Sequence, residues 1–237
     1  MKAMILAAGL GNRMRPLTLY KPKPLLEVGG KPLIVWHIEA LAKIGVTEII
    51  INAAWLKDQL VKTLGDGSQF GVKILWSLED EGLETAGGLI KALFHFEDQP
   101  FLVVNGDVWT RYDFSALKNV ELGDRLAHLV LVDNPPQHPN GDFTLSDDLS
   151  NGTANHGVIS TFEQEKAGEA LTFSGISILS PKLFADLPQG KRPLAPLLKD
   201  AMQQGLVSGE KMSTAWVDVG TPERLMQLDE QIRNQEI

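Results

Sequence analysis

The sequence predicts an α/β fold: a Rossmann-like, mostly parallel sheet with helices on both faces, in a single domain over residues 1–237. Three observations predict it. Short apolar runs alternate with amphipathic stretches through the first hundred residues, the pattern of strand–helix–strand units. Runs such as Ile49-Ile50-Ile51 are too uniformly apolar to be half-exposed, so they suit strands covered on both faces. No long or biased linker divides the chain, and no internal repeat is present.

The elements follow in order. Ala3 to Ala7 is an apolar run ended by glycine, a buried strand. Pro32 opens a helix through about Ile44, with Leu33, His37, Leu41 and Ile44 on one face and Gly45 as its C-terminal stop. A strand at Glu48 to Asn52, a helix at Trp55 to Leu64 and a strand at Val72 to Trp76 come next. A helix from about Thr85 to Phe96 and a strand at Phe101 to Val104 complete the first half. The second half changes character. His128 to Val132 is a strand, and residues 134–156 are rich in turn formers, with a short hairpin at Phe143 to Leu145. Gly157 to Phe162 and Leu171 to Leu179 are strands. Pro181 starts a short helix, and Pro193 or Leu194 another to about Gln204. Ala215 to Val217 is a last strand, and Thr221-Pro222-Glu223 caps a final helix.

Composition narrows the function. Hydrophobic residues make up 43% and charged residues 22%, ordinary for a globular protein. The formal net charge of −8 argues against a nucleic-acid partner, which wants a basic face. With no cysteine there is no disulfide framework, thiol nucleophile or cysteine zinc site. No signal peptide is evident and nothing approaches the ~20 apolar residues of a membrane span. The expectation is a cytoplasmic protein with neither a nucleic-acid nor a membrane partner. The five histidines are scattered, none in a ligand-spaced pair, and His37 on its apolar face is a core or boundary residue.

The richest stretch is Leu6-Ala7-Ala8-Gly9-Leu10-Gly11-Asn12-Arg13-Met14-Arg15-Pro16-Leu17-Thr18, closed by Pro22-Lys23-Pro24-Leu25-Leu26. Gly9 and Gly11 allow the backbone to approach a ligand and turn N–H groups toward an anion. Arg13, Arg15 and Lys23 bring positive charge to the same place, which suits a polyphosphate. The dinucleotide fingerprint fails at Met14, where a third glycine is required, and no Walker pattern starts at Gly9 or Gly11. Two more segments present carboxylates. Val103-Val104-Asn105-Gly106-Asp107 ends a strand in a turn, and Trp216-Val217-Asp218-Val219-Gly220-Thr221 precedes a helix. Each aspartate alone reads equally as a turn residue or helix cap; together, beside a polyphosphate loop, they suit one Mg²⁺. In the acidic segment Glu79-Asp80-Glu81-Gly82-Leu83-Glu84-Thr85-Ala86-Gly87-Gly88, small residues allow a flat ring to approach, and Glu79 can accept a base N–H. That chemistry fits uracil and guanine alike.

The pattern L-A-A-G-x-G-x-R-x-x-P-L-T with P-K-P-L resembles the signature of nucleotidyltransferases that make nucleotide sugars. The G-D strand end and the W-x-D-x-G-T-P-E segment are similar to that family's other anchors, so the resemblance runs from Leu6 to Glu223. Leu-Glu-Thr-Ala-Gly-Gly, Val-Asn-Gly-Asp-Val-Trp, Leu-Val-Asp-Asn-Pro and Leu-Thr-Phe-Ser-Gly-Ile-Ser narrow it toward the N-acetylmuramate 1-phosphate uridylyltransferases of cell-wall recycling, short members without a C-terminal β-helix. The resemblance implies a nucleotide-binding half at about residues 1–110 and a sugar-binding half at about 111–237. It implies UTP and N-acetylmuramic acid 1-phosphate as substrates and Mg²⁺ on Asp107 and Asp218. Arg13, Lys23 and Asp107 would be catalytic. The nucleotide would lie on Leu6, Ala8, Gly9, Gly11, Asn12, Arg13, Lys23, Glu79, Thr85 and Gly88. Asn105, Asp142 and Gly175 would contact the sugar, although Asp142 reads almost as well as a loop residue after Gly141. The chain departs from the family's E-E-K-P at Phe162-Glu163-Gln164-Glu165-Lys166-Ala167, and Lys166 reads as an ordinary exposed lysine. A guanylyltransferase acting on mannose, heptose or glucose 1-phosphate is the nearest alternative. A non-catalytic nucleotide-sugar sensor is the alternative of another class.

Overall fold

The computed structural model describes residues 1–147, 156–161 and 168–237. In chain order the strands and helices are β1 Ala3–Leu6, β2 Glu27–Val28, β3 Lys31–Pro32, α1 Leu33–Lys43, β4 Glu48–Ala53 and α2 Lys57–Leu64. They continue with β5 Lys73–Leu78, α3 Glu84–Ala92, β6 Phe101–Asn105, β7 Val108–Thr110, β8 Ala127–Val132 and β9 Phe143–Asp147. The last are β10 His156–Ser160, β11 Glu169–Leu179, α4 Ala195–Gln203, β12 Val207–Lys211, β13 Trp216–Asp218 and α5 Pro222–Arg233.

Among the described residues nine strands form one sheet in the order β5-β4-β1-β6-β11-β8-β12-β10-β9. The first four are parallel, as the strand–helix alternation predicts. Beyond β6 the sheet is mixed rather than mostly parallel. β11 runs antiparallel to both β6 and β8, and only β12 lies parallel to its neighbour β8. Turn-rich segments replace helical crossovers there, and a parallel pair needs a crossover, which α4 supplies for β12. β9 also pairs with the amino-terminal part of β11. Strands β11, β8, β12, β10 and β9 therefore close into a ring of pairings.

Both faces of the sheet are covered. Ala3, Ile5, Ile49 and Ile51 pack with Ile34, Ile38 and Leu41 of α1 and Leu60 and Leu64 of α2. Met4, Ile50, Phe101 and Val103 pack on the opposite face with Leu89 of α3 and Leu198, Ala201 and Met202 of α4. A third apolar cluster joins Met14, Leu33 and Trp109 to Val219, Leu225 and Leu228 around α5, beside a two-stranded β7–β13 ladder.

Several boundaries differ from expectation. The second helix begins at Lys57, not Trp55, because Leu56 takes a left-handed conformation at its N-cap. The third ends at Ala92 and tightens into a 3₁₀ turn at Leu93–His95. Strands β7 and β12 have no sequence counterpart. Val-Ser-Gly-Glu-Lys lacks an apolar run, and Gly209 sits there because a Cβ would lie 2.2 Å from Ile159 and 2.5 Å from the Leu129 carbonyl. No helix of the described residues is long and apolar enough to cross a membrane.

Candidate active site

The parallel strands end on one line. Leu6 at the carboxyl end of β1 is in register with Asn52 of β4 and Asn105 of β6. Open α/β sheets bind ligands off that edge, and a cleft of about 460 Å³ opens there. Its wall includes Leu6, Ala8, Gly9, Gly11, Asn12, Arg13, Lys23, Thr85, Asn105 and Asp107 from the expected set.

The loop after β1 is held in shape locally. Gly11 is left-handed (φ 61°), and a Cβ there would lie 2.8 Å from the Thr18 methyl. Thr18 returns the contact, its hydroxyl donating to the Gly11 carbonyl at 2.7 Å. The Trp55 indole N–H donates to the Thr18 carbonyl at 2.9 Å, pinning the loop to the start of α2. Arg13 is exposed at the rim. Lys23 is buried in the 3₁₀ turn Lys23–Leu25, and its Nζ lies 2.8 Å from Asp107 Oδ2.

The two aspartates, far apart in sequence, are brought together by the small ladder. β13 pairs antiparallel with β7, Asp218 opposite Val108, and the Val219 N–H donates to the Asp107 carbonyl at 3.1 Å. His37 secures β7 from α1, its Nε2–H donating to the Val108 carbonyl at 2.8 Å. Burial pushes the His37 imidazole down to about 4, so it is neutral at pH 7 and can keep that role. Asp218 Oδ2 is paired with Arg224 Nη1 at 2.8 Å, and Asp218 itself is not on the cleft wall, which Gly220, two residues on, reaches. Among the described residues no group of three or more His, Cys, Asp or Glu side chains forms a metal cage. Two hard carboxylates fit an ion that takes its other ligands from water and substrate phosphate.

Four expectations need relocating. Glu79 is not on the cleft wall. Its side chain is 0% exposed, with Oε1 accepting from Asn52 Nδ2 at 2.8 Å and Oε2 from the Leu83 N–H at 2.9 Å. Gly88 does not face a ring either; it faces that same pair, where a Cβ would lie 2.7 Å from Asn52 and 2.9 Å from Glu79. Gly175 (φ 82°) leaves room for the Asn105 side chain, 2.6 Å from where its Cβ would be, and is not itself on the cleft wall. Asp142 ties a loop to β11. Its Oδ2 accepts from the Phe173 N–H at 2.9 Å, and Oδ1 lies 3.1 Å from His138 Nε2. Lys166 lies outside the described residues.

Sequence reasoning missed Asn52, Gly82, Lys191 and Gly220 on the wall. Asn52 carried a readable signal, a polar residue at the carboxyl end of an apolar strand. Lys191 carried none, because only the fold brings residues 190–192 against α3. There the Gly87 N–H donates to the Arg192 carbonyl, and a Cβ on Gly87 would lie 2.4 Å from the Gly190 carbonyl.

A family model described as Nucleotidyl transferase matches residues 2–235. An N-acetylmuramate alpha-1-phosphate uridylyltransferase of Neisseria meningitidis serogroup B is 50% identical over 230 residues, 95% of each chain. A mannose-1-phosphate guanyltransferase of Candida albicans is 35% identical over 237 residues, which are 94% of this chain and 62% of that one. Two solved structures share the fold. A Bacillus anthracis protein assigned as a glucose-1-phosphate thymidylyltransferase, in complex with a sucrose, aligns at TM-score 0.82 and 23% identity over 99% of this chain and 96% of its own. HddC from Yersinia pseudotuberculosis, complexed with GMP-PN, aligns at TM-score 0.73 and 25% identity over 97% and 98%.

Proposed function

This chain belongs to the nucleotidyl transferase family and is a sugar-1-phosphate nucleotidyltransferase; from that premise we propose that it transfers UMP from UTP to N-acetylmuramic acid 1-phosphate, giving UDP-N-acetylmuramic acid and pyrophosphate. The observation that carries the choice of substrates is the 50% identity, over 95% of both chains, to an N-acetylmuramate alpha-1-phosphate uridylyltransferase. We place the reaction in the cytoplasm, where UTP is made, in the recycling of cell-wall sugar.

A phosphate oxygen of the sugar 1-phosphate attacks the α-phosphorus of UTP in line. The bond from that phosphorus to the β-phosphate bridging oxygen breaks, and its electrons leave on pyrophosphate. The attacking oxygen is already anionic, so no general base is needed, and catalysis is positioning plus charge stabilisation. The N–H groups of the Gly9–Gly11 loop and Arg13 take the β- and γ-phosphates and the charge that develops on pyrophosphate. Lys23 neutralises the α-phosphate as a point charge, exchanging Asp107 for it. Gly82 and Thr85 flank the base, and Asn105 the sugar. Asp107 and Asp218 would hold Mg²⁺, which supplies Lewis-acid polarisation of the α-phosphate when bound. Lys23 and Arg224 each pair with one oxygen of those carboxylates, so the ion would share them with a cation already in place.

Pyrophosphate release measured for UTP, GTP, dTTP and CTP against N-acetylmuramic acid, mannose, heptose and glucose 1-phosphates tests this. UTP with the muramic acid phosphate is expected to give the highest kcat/KM. A guanylyltransferase is the second reading, favoured by the mannose-1-phosphate guanyltransferase similarity and by a structural relative complexed with GMP-PN. Preference for GTP and mannose or heptose phosphate would establish it instead. Binding of UTP with no turnover for any sugar would mark a sensor.

A further inference from the structure

We infer that Glu79 is a positioning residue that fixes the distance between the phosphate loop and the base-side loop, acting through Asn52; this rests on the reading of the cleft as a nucleotide site given above. Three observations converge on it. The Glu79 carboxylate is fully buried, and no ion pair among the described residues includes it. The cation beside it, Lys57, donates instead to the Glu79 backbone carbonyl at 3.0 Å and to Asp80. A buried carboxylate is costly unless several donors meet it, and here they do: Asn52 Nδ2 on one oxygen and the Leu83 N–H on the other.

What those donors belong to gives the residue its role. Asn52 is 2% exposed at the end of β4, and its Oδ1 accepts from the Ala7 N–H at 2.9 Å, the last backbone group before the phosphate loop. Leu83 is the N-cap residue of α3 and stands between Gly82 and Glu84, both on the cleft wall. The chain Ala7–Asn52–Glu79–Leu83 is therefore a continuous hydrogen-bonded strut, from where the triphosphate would enter to where the base would lie. Gly88 leaves the space it passes through, since any side chain there would push on both Asn52 and Glu79.

The polarity of the strut is one-way. Both neighbours of Glu79 donate, so only a group with two acceptors fits. Glutamine at position 79 keeps the shape but turns an N–H₂ toward one donor and loses that bond. Converting Asn52 to aspartate at the same time restores the pattern. The carboxylate then at position 52 accepts from the Ala7 N–H and from the amide N–H₂ then at position 79, whose carbonyl oxygen accepts from the Leu83 N–H. The double exchange leaves net charge unchanged and moves the carboxylate to the neighbouring link of the strut.

The test is steady-state kinetics, with the melting temperature and UTP affinity by calorimetry, on the wild type, Glu79→Gln, Asn52→Asp, the double variant and Gly88→Ala. Each single change, Gly88→Ala included, is expected to raise the UTP KM and Kd about tenfold or more, the scale of one lost buried hydrogen bond. The sugar phosphate KM should stay within about twofold. The double variant is expected to return to within about threefold of the wild type in UTP affinity. Glu79→Gln with unchanged UTP affinity overturns the inference. So does an equal loss for both substrates, or a double variant no better than the singles, folded or not. If the wild type itself fails to bind UTP but binds another nucleoside triphosphate, the base assignment fails, and the same comparison is read with that nucleotide.

Discussion

Asp107 lies on the wall with an oxygen held by Lys23, and Asp107→Asn is expected to lower kcat by at least about 100-fold while leaving the melting temperature within a few degrees, checked by pyrophosphate release and thermal unfolding. Arg13 is exposed and makes no core contact, so Arg13→Ala should leave folding intact and reduce kcat/KM for UTP by about 100-fold, with the sugar phosphate KM little changed. His37 gives a pH prediction. Its folded value near 4 lies below the unfolded value of 6.5, so the unfolded chain binds the proton first. Stability attributable to it is complete above about pH 6.5 and is lost as the pH falls toward 4, about 3 kcal/mol across the window. Urea unfolding at pH 7 and pH 5 should show the wild type losing about 2 kcal/mol more than His37→Gln. That Arg13, Lys23 and Asp107 share one cleft is legible in the sequence because they sit in contiguous runs just past strand ends. The hydrogen bonds of Glu79 are not legible, because its partner Asn52 is 27 residues away and nothing local distinguishes a carboxylate that faces a base from one that faces an amide.

Elements carry the site by where they stop. β1, β4 and β6 end level with one another, and the turn at Gly106-Asp107 starts the β7–β13 ladder that recruits Asp218. α5 fixes the far side of that ladder: Thr221 caps it, its hydroxyl accepting from the Arg224 N–H, and Arg224 in turn holds Asp218. Thr221→Ala should cost about 1 kcal/mol and lower the melting temperature by a few degrees in a calorimetric scan. In β11 the register shifts between Phe173 and Ile176 around left-handed Gly175, which seats Asn105. Gly175→Ala is expected to raise the sugar phosphate KM severalfold with the UTP KM unchanged, because the displaced group, Asn105, is the one proposed to flank the sugar. The periodic helices and apolar strands of the first half were readable because each is a local pattern. β12 was not, since Val-Ser-Gly-Glu-Lys is a strand only by virtue of β8 and β10 on either side.

At the scale of the molecule, an acidic chain keeps Lys23 and Arg224 matched with the two aspartates proposed to hold the metal. A ligand that binds only the folded form raises its melting temperature with concentration, so UTP with Mg²⁺ should shift the transition upward more than UTP alone. Chelation with EDTA should end turnover, and restored Mg²⁺ should recover it. The α/β class and a cleft at the strand ends follow from the sequence pattern, whereas the mixed second half does not, because its order is set by pairings between strands far apart in the chain.

The ring of pairings through β9 and β11 has one more effect. Every strand of the large sheet has a neighbour on both sides except β5, so the sheet's only vacant row of backbone donors and acceptors runs along residues 73–78 among the described residues. Edge-to-edge association with a foreign strand is thereby confined to that margin, where Lys73, paired with Glu48, places a charge that makes it an unwelcoming template.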